Sequence, residues 1–254
     1  MGISSYSLNI TIPINNTTPM TPALIHKISK LSEKEQCYVL AEHYKSNLFD
    51  FAKFCMGYKD LSWRTHKDMI DALESDELRC LIVMPRGSLK SSLGVTAFSI
   101  WSLIRNPNER ILIDSEIYTN SKNFIREIKQ YLESERLVKL FGVFKGPVWS
   151  EGEITIAQRT HPYKEASITA GGVGTIKVGQ HYTLDIKDDL NSNKNSQTVE
   201  QREKVIRHYK MSTSILDPGG KQVVIGTRYA ADDVIGWIMQ NEIGISLIKK
   251  NNVA

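Results

Sequence analysis

The sequence predicts an α/β fold, a mostly parallel sheet flanked by helices, with a small helical appendage ahead of it. Three observations carry this. Short apolar runs of strand length alternate with longer amphipathic stretches of helix length, the order that builds parallel sheets. One such run, residues 78–83, passes through a tight loop, MPRGSLKSS, straight into an apolar segment of helix length. Three strand ends carry reactive polar residues: Lys90-Ser91, Asp188-Asp189 and Thr227-Arg228. In open α/β sheets, ligands gather beyond the carboxyl ends of the strands.

The elements follow in order. Residues 1–20 are polar, with Thr, Asn and Pro, and read as an arm. Thr21 before Pro22 has the form of an N-cap with proline at the first helical position. Ser32 and Glu35 have capping-box spacing, and a helix runs from there to about Lys45. Residues 47–56 form a short helix with Leu48, Phe49, Phe51, Ala52 and Phe54 as apolar contacts. These segments make an arm and appendage over residues 1–60, before a sheet domain over residues 61–254.

Residues 62–66 open a helix that runs to Glu74. Trp63, Arg64 and His66 there either contact a nucleotide base or cap and pack the helix. The first strand is residues 78–83, and a helix follows over 93–103. Asn106-Pro107-Asn108 is a turn. Residues 110–115 form the next strand, and 120–139 one long amphipathic helix carrying Ile125, Ile128, Leu132, Leu137 and Val138. Residues 141–170 read as hairpin-like strands, and Gly171-Gly172-Val173-Gly174-Thr175 as a glycine-rich turn. A strand over 181–190 ends in two carboxylates, and residues 198–211 are helical. Asp217-Pro218-Gly219-Gly220 signals a turn. A strand over 221–228, a helix over 231–240 and a last strand over 245–248 complete the chain.

Composition narrows the class. The chain has 254 residues, 24% charged and 41% hydrophobic, with a formal net charge of +4. This is a globular balance, and the mild positive charge permits a nucleic-acid partner without arguing for one. No apolar run approaches the ~18 residues of a membrane span. The amino terminus lacks the basic start and apolar core of a signal peptide, and Tyr6 breaks the myristoylation pattern. Cys37, Cys55 and Cys80 are odd in number and widely spaced, which suggests a reducing compartment and no zinc site.

The loop of residues 84–92 has the order of a phosphate-binding loop: strand, tight turn, Lys-Ser, helix. Backbone N–H groups at such a loop and helix start cradle anions. Pro85, Arg86, Gly87, Ser88, Leu89, Lys90, Ser91 and Ser92 are the candidate nucleotide contacts. Lys90 supplies a charge for the terminal phosphates, and the Ser91 hydroxyl a ligand for Mg²⁺. The usual pattern is G-x-x-x-x-G-K-[ST]; here Met84 and Leu89 stand at the two glycine positions.

Asp188 and Asp189 supply what hydrolysis of ATP further needs. Asp188 is assigned to the metal and Asp189 to the attacking water. Asp185 and Lys187 interrupt an otherwise apolar strand, so Asp185 is the alternative metal ligand in a shifted register. The polar tip Gly226-Thr227-Arg228 is placed to sense the terminal phosphate.

PRGSLKSS, RILIDSE, GQHYTLDIKDDLNSNKNSQTVEQREK and LDPGGKQVVIGTRYAADDVIG together resemble the ATPase region of bacteriophage terminase large subunits, over roughly residues 60–240. The resemblance implies a P-loop NTPase fold of the ASCE type. It implies ATP and Mg²⁺ as cofactors, and a motor that drives double-stranded DNA through a portal protein into a procapsid. Its implied setting is the host cytoplasm, off the membrane, as a homo-oligomeric ring, a pentamer, with a small terminase subunit as a further partner. Lys90 and Ser91 correspond to the phosphate and Mg²⁺ residues, and Asp188 to the metal carboxylate. Asp189 stands where the family usually has a catalytic acid, often Glu. Gly226 and Thr227 match the coupling motif, and Arg86 an arginine often found in the loop.

Ring ATPases of this kind receive an arginine from a neighbouring subunit. Arg159, at the end of a strand or hairpin over residues 151–159, is the preferred candidate, ahead of Arg202 and Arg228. The family's second, nuclease domain has no room before Ala254, so the chain is expected to be a fragment or to lack cleavage activity. The alternatives are a helicase-like P-loop NTPase and a nucleotide-binding subunit without turnover.

Overall fold

The run at residues 78–83 folds as a strand whose side chains leave alternately to the two faces of a sheet. Cys80 and Ile82 enter one apolar cluster, and Leu81 and Val83 another. Both faces are therefore covered, which is why this strand reads as continuously apolar.

The structure is a computed structural model describing residues 19–175 and 179–249. The arm expected over residues 1–20 lies outside the described residues but for its last two. In chain order the helices before the first strand are α1 (Pro22–Ile28), α2 (Glu33–Ser46), α3 (Leu48–Asp50, continued by a π-helical turn Phe51–Cys55) and α4 (Trp63–Glu74). Then come β1 (Arg79–Val83), a π-helical stretch Ser92–Ala97 running into α5 (Phe98–Arg105), β2 (Ile111–Ser115), α6 (Tyr118–Leu132) and α7 (Glu135–Phe141). The chain continues with β3 (Lys145–Trp149), β4 (Glu153–Ile156), β5 (Ile168–Gly172) and β6 (Tyr182–Asp188). It ends with α8 (Val199–Thr213), β7 (Leu216–Gly226), α9 (Val234–Asn241) and β8 (Ser246–Lys249).

The strands form one sheet in the order β3-β4-β5-β2-β6-β7-β1-β8. From β5 to β8 every pairing is parallel, as alternation with helices predicts. The β3–β4 hairpin adds an antiparallel edge. Helices α4, α5 and α6 contribute Ile70, Ile100 and Ile125 to the cluster on one face. Helices α8 and α9 contribute Val205, Tyr209 and Ile238 to the other.

The segment expected as an appendage shares that first core. Tyr44, Leu48, Phe51 and Ala52 lie in the same cluster as Ile82 and Ile225, and the Trp101 indole N–H donates to the Tyr44 carbonyl at 2.9 Å. Its caps are those the sequence announces. The Thr21 hydroxyl accepts from Leu24 N–H, and Ser32 with Glu35 closes a capping box.

Four local expectations are corrected. The single helix over 120–139 is two, because Ser134 takes up an N-cap role, its hydroxyl accepting from Leu137 N–H. A serine that can bond the backbone of a new helix competes with continuing the old one. The Asp217–Gly220 segment is not a turn between elements but an irregularity inside β7. There the register steps from Tyr182–Leu216 to Leu184–Lys221, with Gly219 at φ +79°. The last long helix begins at Val234, not Ala231, since the Asp233 carboxylate caps it through Gly236 N–H at 2.8 Å. In the glycine-rich stretch, Gly171 and Gly172 finish β5. A Cβ on Gly172 would lie 2.5 Å from the backbone nitrogen of Tyr118. Among the described residues no helix is long and apolar enough to cross a membrane.

Candidate nucleotide site

The parallel sheet brings the carboxyl ends of β1, β6 and β7 side by side, with β6 and β1 flanking β7. The loop of residues 84–92 leaves β1, Asp188 closes β6, and Thr227 follows β7. Residues about a hundred positions apart meet there. The Ser91 hydroxyl donates to Asp188 Oδ1 at 2.7 Å, and Lys90 Nζ lies 3.6 Å from Asp189 Oδ2. Lys90 is buried, so its ammonium is held within the site and does not sweep through solvent.

Backbone conformation explains the odd loop sequence. Gly87 has φ +77° and Leu89 has φ +56°. Position 89, where the usual pattern has glycine, still takes the left-handed conformation that makes glycine usual there. Leu89 bears that conformation while packing its side chain against the core. The left-handed region costs a non-glycine residue roughly 1–2 kcal/mol. Leu89→Gly removes that cost but loses packing and gains unfolded-state entropy, so its unfolding free energy should stay within ~1 kcal/mol of the parent. Leu89→Val, β-branched at positive φ, should destabilise by more. Urea unfolding of both variants checks the order; the reverse order would mean that packing, not backbone strain, governs this position.

The loop is braced from behind. His66 Nε2 donates to the Ser88 carbonyl at 3.0 Å, and its Nδ1 accepts from Ser62 N–H at 3.2 Å. The Ser88 hydroxyl donates to the Pro85 carbonyl at 2.7 Å, and the Tyr58 hydroxyl to the Ser92 carbonyl at 3.2 Å. His66 is buried, and the Trp63 ring packs edge-on against Phe49 with centroids 5.2 Å apart.

Asp188 is buried between Ser91 and the neighbouring strands. Burial pushes its carboxyl up to about 7, the adjacent Asp189 charge adds to the rise, and the Ser91 hydrogen bond and the Lys90 charge pull it back. Added positive charge at this carboxylate relieves both unfavourable effects. Asp189 has φ +41°, its N–H donates to the Ile225 carbonyl at 2.9 Å, and its side chain is 39% exposed. The left-handed backbone turns this carboxylate off the line of the strand and over β7, so that Asp189 Oδ1 lies 3.6 Å from where a Cβ on Gly226 would stand. Asp189 Oδ1 and Thr227 Oγ1 are buried and have no hydrogen-bond partner among the described residues.

The oxygens Ser91 Oγ and Asp188 Oδ1 are hard donors of the kind Mg²⁺ takes, alongside water and phosphate. Among the described residues no group of three or more His, Cys, Asp or Glu is placed to hold a metal by itself. A cation here would complete its shell from a nucleotide's phosphates and from water.

The remaining candidates divide. Arg86 is exposed at the loop and donates to the Tyr229 hydroxyl. Arg228 Nη2 donates to the Ala231 carbonyl, within its own turn. Arg202 bonds the Ser196 carbonyl and pairs with Asp232 at 2.8 Å. Arg159 is not brought to the loop. Its guanidinium donates to the carbonyls of Glu165 and Glu109, the latter just ahead of β2, so it stands at the amino-terminal edge of the sheet. The alternative metal ligand Asp185 faces away. It is buried against Lys187 at 2.8 Å and accepts from Gln222 Nε2 at 3.0 Å.

Asp185 belongs to a buried network that sequence reasoning missed. Lys187 Nζ also donates to Ser212 Oγ at 2.6 Å and lies 3.5 Å from Asp114 Oδ2. His208 Nδ1 accepts from Gly174 N–H, so its Nε2 carries the proton given to Asp114 Oδ2, 2.6 Å away. The available signal was Asp185 and Lys187 two residues apart, on one face of an otherwise apolar strand.

No family model matches this chain, and no curated protein matches it. Among solved structures, the fold is similar to that of a chain of low sequence identity. The structure in question is S. cerevisiae Dbp5 bound to Nup159, Gle1, IP6 and ADP, with a TM-score of 0.51 and 14% identity over 81% of this chain and 52% of that one. A second Dbp5 structure, bound to Gle1 and IP6, has a TM-score of 0.43 and 14% identity over 73% of this chain and 49% of that one. The chain thus spans about half the length of the structures it matches, and at this identity the likeness is one of fold.

Proposed function

We propose that this chain is a nucleic-acid-dependent P-loop ATPase. The observation that carries it is the Ser91–Asp188 hydrogen bond across 97 residues, with Lys90 and Asp189 paired beside it. The loop amides and Lys90 hold the phosphates. Ser91 and Asp188 would hold Mg²⁺, which supplies positive charge to the phosphate oxygens when bound. Asp189, strained toward β7 and partly exposed, orients the attacking water and takes its proton. Water oxygen bonds to the terminal phosphorus, the bridging bond breaks, and ADP and phosphate leave. Thr227, with an unused hydroxyl beside Asp189, is the residue placed to register that loss. Arg86 is the arginine that stands at this site. Delivery of Arg159 to a neighbouring copy would require both of its carbonyl bonds to break.

Asp188→Asn and Asp189→Asn test these roles. Asp188→Asn should weaken Mg²⁺-dependent nucleotide binding. Asp189→Asn should bind MgATP near parental affinity and hydrolyse it ~10²-fold more slowly or worse. Titration of nucleotide with and without Mg²⁺, beside steady-state turnover, separates the two; equal binding losses would refute the division of labour.

A second, finer reading rests on the terminase resemblance of residues 60–240: translocation of double-stranded DNA into a procapsid by a ring of copies, with a portal protein and small terminase subunit, in a host cytoplasm. Turnover stimulated by blunt duplex with no strand separation on a fork supports it. Strand separation supports the helicase-type reading, and nucleotide binding without turnover in an assembled preparation leaves only a binding subunit.

A further inference from the structure

Besides Asp189 Oδ1 and Thr227 Oγ1, the Ser115 Oγ and both amide atoms of Asn191 lie buried at the strand tips with no hydrogen-bond partner among the described residues. Asp189 has its place in the proposed reaction; Ser115 and Asn191 do not. Ser115 is 1% exposed and Asn191 3% exposed. Buried polar groups without partners are rare, and a folded protein keeps them where something else satisfies them.

Register places Ser115. It is the Cα partner of Asp188 in the parallel β2–β6 ladder, so the two side chains leave the same sheet face. That face is the phosphate-loop face, because Asp188 Oδ1 meets Ser91 there. The opposite face takes the preceding residues, Asp114 and Lys187, toward α8. Chain path places Asn191. It lies three residues beyond Asp188, and the next residue, Ser192, donates to Glu116 Oε1, the residue after Ser115. Asn191 therefore lies on the chain path from the end of β6 to the Ser192–Glu116 hydrogen bond just beyond β2.

Mg²⁺ gives up its waters reluctantly and keeps several when bound by one or two protein oxygens and phosphates. Those waters need acceptors on the protein side. We propose that Ser115 and Asn191 are positioning residues for a hydrated divalent cation at Ser91 and Asp188, with Ser115 Oγ and Asn191 Oδ1 accepting hydrogen bonds from its water ligands on the β2 side of the site. The inference rests on the assignment of that cation site. It explains why a serine and an asparagine are buried there unspent. A neutral hydroxyl and amide orient water without adding charge beside Asp188 and Asp189.

The test is binding of Mn²⁺ to the ADP-loaded chain, read by electron paramagnetic resonance, together with ADP affinity in EDTA. Ser115→Ala and Asn191→Ala should each weaken Mn²⁺ binding about 10-fold or more, the range for loss of groups that orient metal ligands. ADP affinity in EDTA should be unchanged. Ser115→Ala removes a single oxygen and keeps the test alive if Asn191→Ala unfolds. Parental Mn²⁺ affinity in Ser115→Ala, or an equal loss of ADP binding in EDTA, overturns the proposal. Asp188→Asn in the same titration separates the levels. If it loses Mn²⁺ while Ser115→Ala does not, only this inference fails; if Asp188→Asn also keeps Mn²⁺, the cation site itself is wrong.

Discussion

Lys90→Ala is expected to cut ATP turnover by at least ~10²- to 10³-fold, the range for removing one preorganised group that meets charge developing in a transition state. Lys90 is buried, follows the left-handed Leu89, and points its ammonium to within 3.6 Å of Asp189. Its position is therefore set before any nucleotide arrives. A buried, water-poor setting makes a single charge count for more than it does in solvent. Alanine leaves the loop amides in place, so weak nucleotide binding should survive while turnover does not. It also leaves Asp188 and Asp189 side by side without the nearest cation, which should raise the dependence on Mg²⁺. Steady-state turnover and nucleotide affinity, measured on the same preparation in its most active assembly, check both halves. Parental turnover in Lys90→Ala would remove the phosphate-loop assignment altogether.

Lys187→Met is expected to cost about 3–5 kcal/mol of stability, a large share of the roughly 5–15 kcal/mol that holds a domain together. Lys187 is fully buried between two carboxylates, Asp185 at 2.8 Å and Asp114 at 3.5 Å. Burial pushes the Asp185 carboxyl up, and the Lys187 charge offsets this only in part. Burial also works against Asp114, but Lys187 and His208 hold it below the usual carboxylate range. Methionine keeps most of the volume and removes the charge, leaving both carboxylates without their shared ammonium. Adding Asp185→Asn should return part of the loss, because a neutral amide there is cheaper to bury and can still bond Gln222. Urea unfolding of the single and double variants measures this. A single variant within ~0.5 kcal/mol of the parent would show that the network contributes little. The consequence reaches the site, since Lys187 and Asp188 are adjacent on β6 and leave its opposite faces.

Much of this was legible in the chain. The apolar runs, the caps at Thr21 and Ser32, and the Lys90-Ser91 and Asp188-Asp189 pairs are local patterns with local causes. A strand face, an N-cap or a helix start is decided by neighbours a few residues away. The break at Ser134 was also local, but two readings of one amphipathic stretch competed, and a hydroxyl cap decided between them. Tertiary structure alone decided the rest. Asp185 and Asp188 are three residues apart on one strand, yet the alternation of side chains sends one to α8 and the other to the phosphate loop. Arg159 is tied to backbone at the far edge of the sheet because the β3–β4 hairpin folds back beside β5. Ser115 lies beside Asp188 only because β2 is the strand that pairs with β6. The sequence by itself determined which segments are strands and which ends carry charge, since those follow from period and composition. Strand order and register decided which of those ends meet, because they depend on pairings between segments tens of residues apart that no local pattern encodes.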